Sequence, residues 1–286
     1  EDNNTFDFVR LFVIRIIIIR GVFFVPKYNK TNHNSPVWAS QNFLTSSSII
    51  KQIVDLSSIC KNDHVVEIGA GKGHITDKLI KKCGKVTAIE IDRNLYSKLC
   101  GKFKGIPNIS LVCHDFLNWN LPRAPYKVFA NIPFNKTTDI IRKLTNNDNP
   151  PEETWLVIEK GAAKRFMGKP NETICSLNIK PFFDCDMKYY FRKEDFHPAP
   201  SVDAVLFHFK KKTVPDISWQ EHHSFNRFIT NSLSKPNGIY MVLTKKQIST
   251  ALKIAGLSSD ILHPSEMLYV QWLCLFRCYK KYGKRT

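Results

Sequence analysis

Residues 64–83 read HVVEIGAGKGHITDKLIKKC, and this stretch decides the fold. A short apolar run comes first, a turn with three glycines follows, and apolar residues then recur at helical spacing. This order predicts a strand, a loop and a helix. Glycines at such a turn let the backbone approach a ligand and leave the amides of the helix N-terminus pointing at it. The spacing fits neither the P-loop nor G-x-G-x-x-G, so a tight structural turn remains an alternative at this point.

The segments that follow repeat the alternation of strand and helix. Apolar runs predict strands at 85–92, 109–115, 126–134 and 154–160, and amphipathic runs predict helices at 46–56, 94–103 and 137–144. Strands that alternate with helices form a parallel sheet, so the expected fold class is α/β. From about residue 210 the pattern is helical without strong strands. We expect a core domain at 36–209, a small helical C-terminal domain at 210–286, and an N-terminal appendage of unknown role at 1–35.

The chain is strongly basic. Its 42 Lys and Arg residues exceed its 25 Asp and Glu residues, which gives a net charge of +17. A charge of this size favours a polyanionic partner such as nucleic acid, or an anionic membrane surface. Residues 210–286 carry 13 basic and four acidic residues, about half of the whole excess. The predicted C-terminal domain is therefore expected to be an interaction module beside the core domain.

Cysteine and histidine usage argues against disulfides and metal. The eight cysteines include no C-x₂-C pair and the nine histidines lack ligand spacing, so we expect no metal site and a reducing, cytoplasmic location. Residues 11–25 are apolar, but they are fewer than the roughly 18–20 residues of a membrane-spanning helix. They are also interrupted by Arg15 and Arg20. We expect no stable membrane association, and a monomer.

Acidic residues end the second and third predicted strands. Glu90 ends the strand that comes after the glycine turn. At that position a carboxylate can accept hydrogen bonds from both hydroxyls of a nucleoside ribose. Asp115 ends the next strand and can accept from the exocyclic amine of adenine. The turn and the two acids together indicate an adenosine-type cofactor. Because no motif that grips phosphate accompanies them, S-adenosylmethionine is a better candidate than a dinucleotide.

The fourth predicted strand ends in Asn131-Ile132-Pro133-Phe134. An adenine amine is a poor nucleophile, because its lone pair is delocalised into the ring. The Asn131 side-chain carbonyl and the Ile132 backbone carbonyl are expected to accept its two N–H bonds and to favour the nucleophilic geometry. Pro133 makes the turn rigid, and Phe134 offers a face on which a flipped base can stack. The sequence thus predicts a methyl-acceptor site here.

These motifs resemble those of the Erm 23S rRNA adenine-N6 methyltransferases, and they occur in the same order from about Ser40 onward. The matching segments are QNFL (41–44), EIGAGKGH (67–74), AIEID (88–92), HDF (114–116), ANIPFNKTTDIIRK (130–143), IEKGAAKR (158–165) and FHPAPSV (196–202). The resemblance implies a Rossmann-like S-adenosylmethionine-dependent methyltransferase domain followed by a small helical domain. It also implies 23S rRNA as substrate and resistance to macrolides, lincosamides and streptogramin B.

The resemblance also implies a role for each matching residue. Asn42 and Leu44 would contact the cofactor, Gly69 and Gly71 would cradle its methionine part, Glu90 would bind the ribose and Asp115 the adenine. Residues 131–134 would form the methyl-acceptor site, with Asn131 also next to the cofactor, and Phe196 would stack on the target base. Two features depart from the family: Phe134 stands where Tyr is commoner, and residues 1–35 have no counterpart.

The nearest alternative is the related group of small-subunit rRNA adenine dimethyltransferases. That group resembles N-L-P-Y at the acceptor motif and Q-K-E at the fifth strand, where this chain has Ile132 and the segment 158–161. Both features favour the Erm family. A non-catalytic nucleic-acid-binding protein of the same fold is a second alternative, and the intact Asn131 argues against it.

Overall fold

The computed structural model describes residues 42–235, 237–258 and 264–283. The predicted appendage at 1–35 therefore lies outside the described residues. The described chain divides into two compact units, one formed by residues up to 167 together with 182–215, and the other by 168–181 together with residues from 216 onward.

The first unit is built on a seven-stranded sheet beside a two-stranded ribbon. In chain order, the strands are β1 (Phe43–Leu44), β2 (His64–Ile68), β3 (Lys85–Glu90), β4 (Ile109–Cys113), β5 (Lys127–Asn131), β6 (Glu153–Glu159), β7 (Phe183–Tyr190), β8 (Phe196–His197) and β9 (Ala204–Lys211). The large sheet has the order β4-β3-β2-β5-β6-β9-β7, and β1 pairs with β8. Strands β2 to β6 run parallel, whereas β9 is antiparallel to both of its neighbours.

Helices cover this sheet and form the second unit. The first unit contains α1 (Ser47–Asp55), α2 (Thr76–Lys82), α3 (Arg93–Lys102), α4 (Thr137–Thr145) and α5 (Lys160–Met167). The second contains α6 (Ile174–Ile179), α7 (His222–Leu233), α8 (Ile239–Val242), α9 (Lys245–Ile254) and α10 (Tyr269–Tyr282). The mixed α/β fold and the helical C-terminal region agree with the sequence prediction. None of the helices within the described ranges is long and apolar enough to cross a membrane.

The strand order places a crevice at one edge of the sheet. The chain runs outward from β2 to β3 and β4 on one side, and then crosses back to β5 and β6 on the other side of β2. In open α/β sheets ligands bind outside the carboxyl ends of the strands, at the point where the order reverses. Here that point lies between β2 and β5. The predicted glycine turn follows β2, and the predicted acceptor motif follows β5.

The helical unit has its own aromatic core. The Phe225 ring of α7 packs edge-on against Phe276 of α10 with centroids 5.0 Å apart, and Phe228 meets Trp272 at 6.0 Å. Helix α6 buries Leu177 and packs against α7.

The division between the units differs from the predicted boundary between 36–209 and 210–286. Strand β9 extends to Lys211, and the segment 168–181 groups with the helical unit. The reason is that the apolar side of α6 is buried against α7, which lies far away in the sequence.

Candidate functional site

A cavity of about 310 Å³ opens at the carboxyl ends of the central strands. Its size lies at the lower end of the roughly 300–1,000 Å³ found for ligand pockets. It is lined by Asn42, Phe43, Leu44, Glu67, Ile68, Gly69, Ala70, Gly71, Lys72, His74, Ile75, Ile89, Glu90, Ile91, His114, Asp115, Phe116, Leu117, Asn131, Ile132, Pro133, Phe134, Lys136 and Ile140. Ten of the eleven site residues predicted from the sequence are therefore brought together here.

The glycine turn after β2 forms one wall of the cavity. Gly71 and Gly73 have φ angles of +57° and +72°, a region that residues with a side chain rarely adopt. A Cβ on Gly73 would lie 2.8 Å from the side chains of Leu99 and Phe103, so the turn also allows α3 to pack closely. Lys102 of α3 donates to the Gly73 carbonyl at 2.9 Å. The glycines thus serve both the backbone path and the packing beneath it.

Glu90 ends β3 and is 2% exposed. Its Oε2 accepts a hydrogen bond from the Gly71 amide at 2.7 Å, and its Oε1 accepts from the Asp92 amide at 2.9 Å. Each carboxylate oxygen has a second lone pair available for a ligand hydroxyl. Glu90 therefore holds the glycine turn in place and still has capacity to accept hydrogen bonds from a ligand.

Asp115 follows β4 and is half-buried. Its Oδ1 accepts from the Leu117 amide at 2.9 Å, and its Oδ2 accepts from the Asn118 side-chain amide at 2.8 Å. These bonds fix the carboxylate as the cap of the short helix Phe116–Asn118. Local backbone geometry thus orients the carboxylate that the sequence analysis assigned to the adenine.

The Asn131 amide has one defined orientation at the end of β5. Its Nδ2 donates to the backbone carbonyl of Asn42 at 2.8 Å. Its Oδ1 accepts no hydrogen bond from any residue that the structure describes. Because the nitrogen side is occupied, the side chain presents an acceptor to the cavity. Ile132, Pro133 and Phe134 continue the same wall.

The ribbon of β1 and β8 brings Asn42, Phe43 and Leu44 to the cavity. Leu44 pairs with Phe196 and Phe43 with His197. The Phe43 ring lies 5.4 Å from the Lys72 ammonium, and a Cβ on Gly71 would lie 3.2 Å from that ring. Asn42 and Leu44 were predicted from the sequence, whereas Phe43 was not. The signal was present, because Phe43 stands between these two residues in the QNFL motif.

Phe196 does not line the cavity. Its side chain is 4% exposed, and its ring packs edge-on against Phe191 with centroids 5.3 Å apart. The backbone of Phe196 is next to the cavity through its pairing with Leu44, but the ring belongs to the core cluster. In this arrangement its faces are not available to a base, whereas Phe134 is half-buried and lines the cavity.

Glu67 is a second cavity residue that the sequence analysis did not single out. It occupies the position before Ile68 at the end of β2 and is 1% exposed. Burial raises the pKa of its carboxyl to about 8, and the neighbouring Glu90 carboxylate adds to this effect. The acid two residues before the first glycine was the available signal.

Across the described ranges, no three His, Cys, Asp or Glu side chains stand close enough together to hold a metal ion. The cavity instead offers glycine backbone, carboxylates and one oriented amide. This donor set suits a ligand with hydroxyl, amine and cationic groups.

Comparison with known proteins agrees with this geometry. A family model described as "Ribosomal RNA adenine dimethylase" matches residues 32–266. The chain is similar to an rRNA adenine N-6-methyltransferase of Lysinibacillus sphaericus, with 35% identity over 249 residues that cover 84% of this chain and 95% of the relative. It is also similar to the ribosomal RNA small subunit methyltransferase A of Mycoplasmopsis pulmonis, with 35% identity over 200 residues, 68% of this chain and 79% of the relative.

A solved structure supports the fold. The structure of the 23S rRNA methyltransferase ErmE superposes with a TM-score of 0.73 and 22% identity, and the match covers 84% of this chain and all of that one. At this identity the likeness is evidence for the fold. The family match over most of the chain goes further: this chain belongs to the ribosomal RNA adenine dimethylase family, among its Erm-like members.

Proposed function

We propose that this protein methylates N6 of an adenine in ribosomal RNA and uses S-adenosylmethionine as the methyl donor. The observation that carries the proposal is the orientation of Asn131, whose Nδ2 is held by the Asn42 carbonyl at 2.8 Å and whose Oδ1 is left to accept. An acceptor fixed at the end of β5 suits an amine substrate. Family membership supports the same reaction.

The residues around the cavity fit the cofactor. Glu90 keeps lone pairs for the ribose hydroxyls, Asp115 stands at the adenine end, and Gly69 and Gly71 provide backbone for the methionine part. Asn42 and Leu44 close the site from the β1 side. When bound, the cofactor supplies an electrophilic methyl group on a sulfonium.

The chain's own task is to prepare the nitrogen nucleophile. Asn131 Oδ1 and the Ile132 carbonyl accept the two N6–H bonds and favour a more tetrahedral nitrogen, which is the geometry of the transition state. Phe134 supports the flipped base by stacking. No general base is needed before attack, because the proton leaves N6 for water after the methyl has moved.

For the finer substrate we propose 23S rRNA, with macrolide-lincosamide-streptogramin B resistance as the consequence. Ile132 and the segment 158–161 support this choice over the small-subunit substrate, because both resemble the Erm pattern. A target adenine has to be unstacked to reach Asn131, which favours a loop nucleotide. Such loops are accessible in large-subunit RNA before assembly. We also propose a cytoplasmic location and a monomeric enzyme.

We further propose that residues 210–286 grip RNA phosphates. Lys245, Lys246 and Lys253 of α9 are exposed, and the Lys245 ammonium lies 5.6 Å from the centre of the Tyr240 ring. Lysines that contact phosphate contribute affinity without reading sequence, and the affinity then falls steeply with salt.

The test uses purified protein with cofactor labelled in the transferred methyl group. We expect label in protein-free 23S rRNA, and we expect a bacterium that expresses the protein to tolerate erythromycin. The variant Asn131→Ala is the matched negative control, since it should leave both RNAs unlabelled. Label confined to small-subunit particles, without a change in tolerance, would exclude the 23S assignment and leave the methyltransferase assignment in place. If neither RNA is labelled, both the methyltransferase assignment and the 23S assignment are contradicted.

A further inference from the structure

Glu67 has an unusual environment for a carboxyl group in a ligand cavity. The residue is 1% exposed, and its Oε2 is buried without a hydrogen-bond partner among the residues that the structure describes. A buried polar oxygen without a partner is costly, so native structures seldom keep one without a reason. Because Glu67 lines the cavity, a bound ligand is the group that can satisfy this oxygen.

The surroundings of Glu67 disfavour its negative charge while the cavity holds no cation. From β3 it faces the Glu90 carboxylate, which raises the pKa of its carboxyl, and from α2 it faces Thr76, which lowers that pKa. The Lys102 ammonium of α3 is the nearby positive charge, but it is hydrogen-bonded to the carbonyls of Lys72 and Gly73. Burial, with a smaller effect of Glu90, therefore outweighs Thr76 and Lys102 and raises the pKa of Glu67 to about 8.

Other titratable groups line the same cavity. They are Lys72, His74, His114, Asp115 and Lys136. The Asp115 carboxylate is fixed by Leu117 and Asn118, and the His114 ring nitrogen Nδ1 contacts the Asp115 carbonyl at 2.8 Å. Glu67 differs from these groups because it is fully buried and has an unsatisfied oxygen. It is the acid that a ligand cation would affect most.

We propose that Glu67 anchors the methionyl ammonium of the cofactor, and that binding drives the Glu67 proton into solvent. The carboxyl is neutral in the free protein and is ionised in the complex, where the ammonium pairs with it. The inference rests on the proposed use of S-adenosylmethionine. It assigns to Glu67 a positioning role at the methionine end of the cavity, beside Gly69 of the turn.

This proton linkage predicts a particular pH dependence of binding. Below the pKa of Glu67 in the free protein, binding has to remove a proton, so the affinity rises as pH rises. We expect up to a tenfold gain per pH unit between pH 6 and about 8, and no further gain from Glu67 at higher pH. The amino group of the ligand and the two cavity histidines titrate in the same range. Comparison with a variant of Glu67 alone separates their contribution.

The experiment is isothermal titration calorimetry of the full chain with S-adenosylhomocysteine, which keeps the ammonium and is chemically stable. Titrations at pH 7 in buffers of different ionisation enthalpy count the protons released. We expect close to one more proton from the wild type than from Glu67→Gln. The variant Glu153→Gln removes a buried carboxyl far from the cavity and should release as many protons as the wild type. Methylthioadenosine, which lacks the amino acid part, should release none from Glu67.

A second measurement uses only the wild type and does not depend on how the variant folds. Proton release on binding S-adenosylhomocysteine should fall from close to one at pH 7 towards zero at pH 9.5, apart from the ligand's own amine. Equal proton counts for the wild type and Glu67→Gln, or a wild-type count that does not change with pH, would overturn the role of Glu67. No binding of the ligand by the wild type at any pH would instead contradict the proposed function.

Discussion

Charged residues at the two edges of the central sheet, at the amino ends and at the carboxyl ends of its strands, differ in how fully they are paired. At the amino ends of the strands, Lys127 pairs with Asp63 at 2.9 Å and also donates to the Ser58 carbonyl at 3.0 Å. Glu153 accepts from the Ser58 hydroxyl at 2.9 Å and contacts His208 at 3.2 Å. Every one of these side chains has a partner within the protein.

At the carboxyl ends, polar groups keep part of their bonding capacity. Glu90 and Asp115 accept from amides and retain lone pairs, Asn131 presents a free acceptor, and Glu67 has an oxygen without a partner. Satisfied buried charges stabilise a fold, whereas unsatisfied ones are maintained where a ligand completes them. The contrast separates residues that hold the sheet from residues that act.

The largest expected effect is an opposite response of the two edges to pH. Burial raises the pKa of Glu67 to about 8, so the folded free protein holds an extra proton between pH 4.5 and 8. The stabilisation that protonated Glu67 gives the folded protein is fully present below pH 4.5 and is lost as pH rises through 8. At about 1.4 kcal/mol per pKa unit, the loss amounts to at most about 5 kcal/mol. In urea unfolding of the ligand-free protein, Glu67→Gln should flatten the decline between pH 5.5 and 8.5.

Asp63 should respond to pH in the other direction. Burial alone would raise the pKa of its carboxyl, but hydrogen bonds from Lys127 and from the Cys60 amide outweigh burial and hold the pKa below its usual value of 3.8. Its contribution is present above that value and is lost as pH falls. Asp63→Asn should therefore lower stability at neutral pH and flatten the acidic limb of the stability curve. An acidic limb as steep in this variant as in the wild type would contradict the contrast.

The next effect concerns stability at the amino edge. Lys127→Met removes one member of a buried pair whose side chains are 11% and 14% exposed, and it leaves the Asp63 carboxylate without its cation. Breaking a buried pair in this way costs about 3–5 kcal/mol. We expect that loss in the free energy of unfolding, measured in urea at neutral pH. Cofactor affinity of the folded fraction should stay unchanged, and a loss of affinity would show that the two edges are coupled.

The smallest of these effects, when expressed as a free energy, is a loss of turnover caused by a change at the carboxyl ends of the strands. Asn131→Ala removes the oriented acceptor, and loss of one such group costs about 10²–10³-fold in turnover, or about 2.7–4 kcal/mol. Single-turnover methylation should show this loss with nearly unchanged RNA affinity and stability. Asn149→Ala, which removes bonds to the carbonyls of Pro122 and Ala124 outside the cavity, is the control. Weakened RNA binding at normal turnover would contradict the role of Asn131.

Much of the site could be predicted because its residues follow local signals. Apolar runs mark strands β2 to β6, and the parallel order brings Glu90, Asp115 and Asn131 to one edge. The positions of these three side chains follow from strand ends alone. Their exact partners do not, because the amide of Asn131 is oriented by Asn42, which lies 89 residues away.

The parts that were missed depend on contacts between distant residues. Strand β7 alternates buried and exposed side chains at an edge, and its charged residues hide the strand signal. Strand β1 has two residues and exists because it pairs with β8, so no hydrophobic periodicity marked it as a strand. The burial of Phe196 is set by Phe191 and the core around it. Likewise, the grouping of 168–181 with the helical unit depends on α7.

The position of β9 affects the order in which the sheet can be completed during synthesis. Strand β9 lies between β6 and β7, yet both of these leave the ribosome before it does. The nascent chain therefore carries β6, with Trp155 and Leu156 fully buried in the finished protein, next to a vacant place in the sheet. At about 5–20 residues per second, that place stays vacant for a few seconds. During this time the protein depends on the speed of translation, or on a chaperone, to keep an apolar strand edge from pairing with another chain.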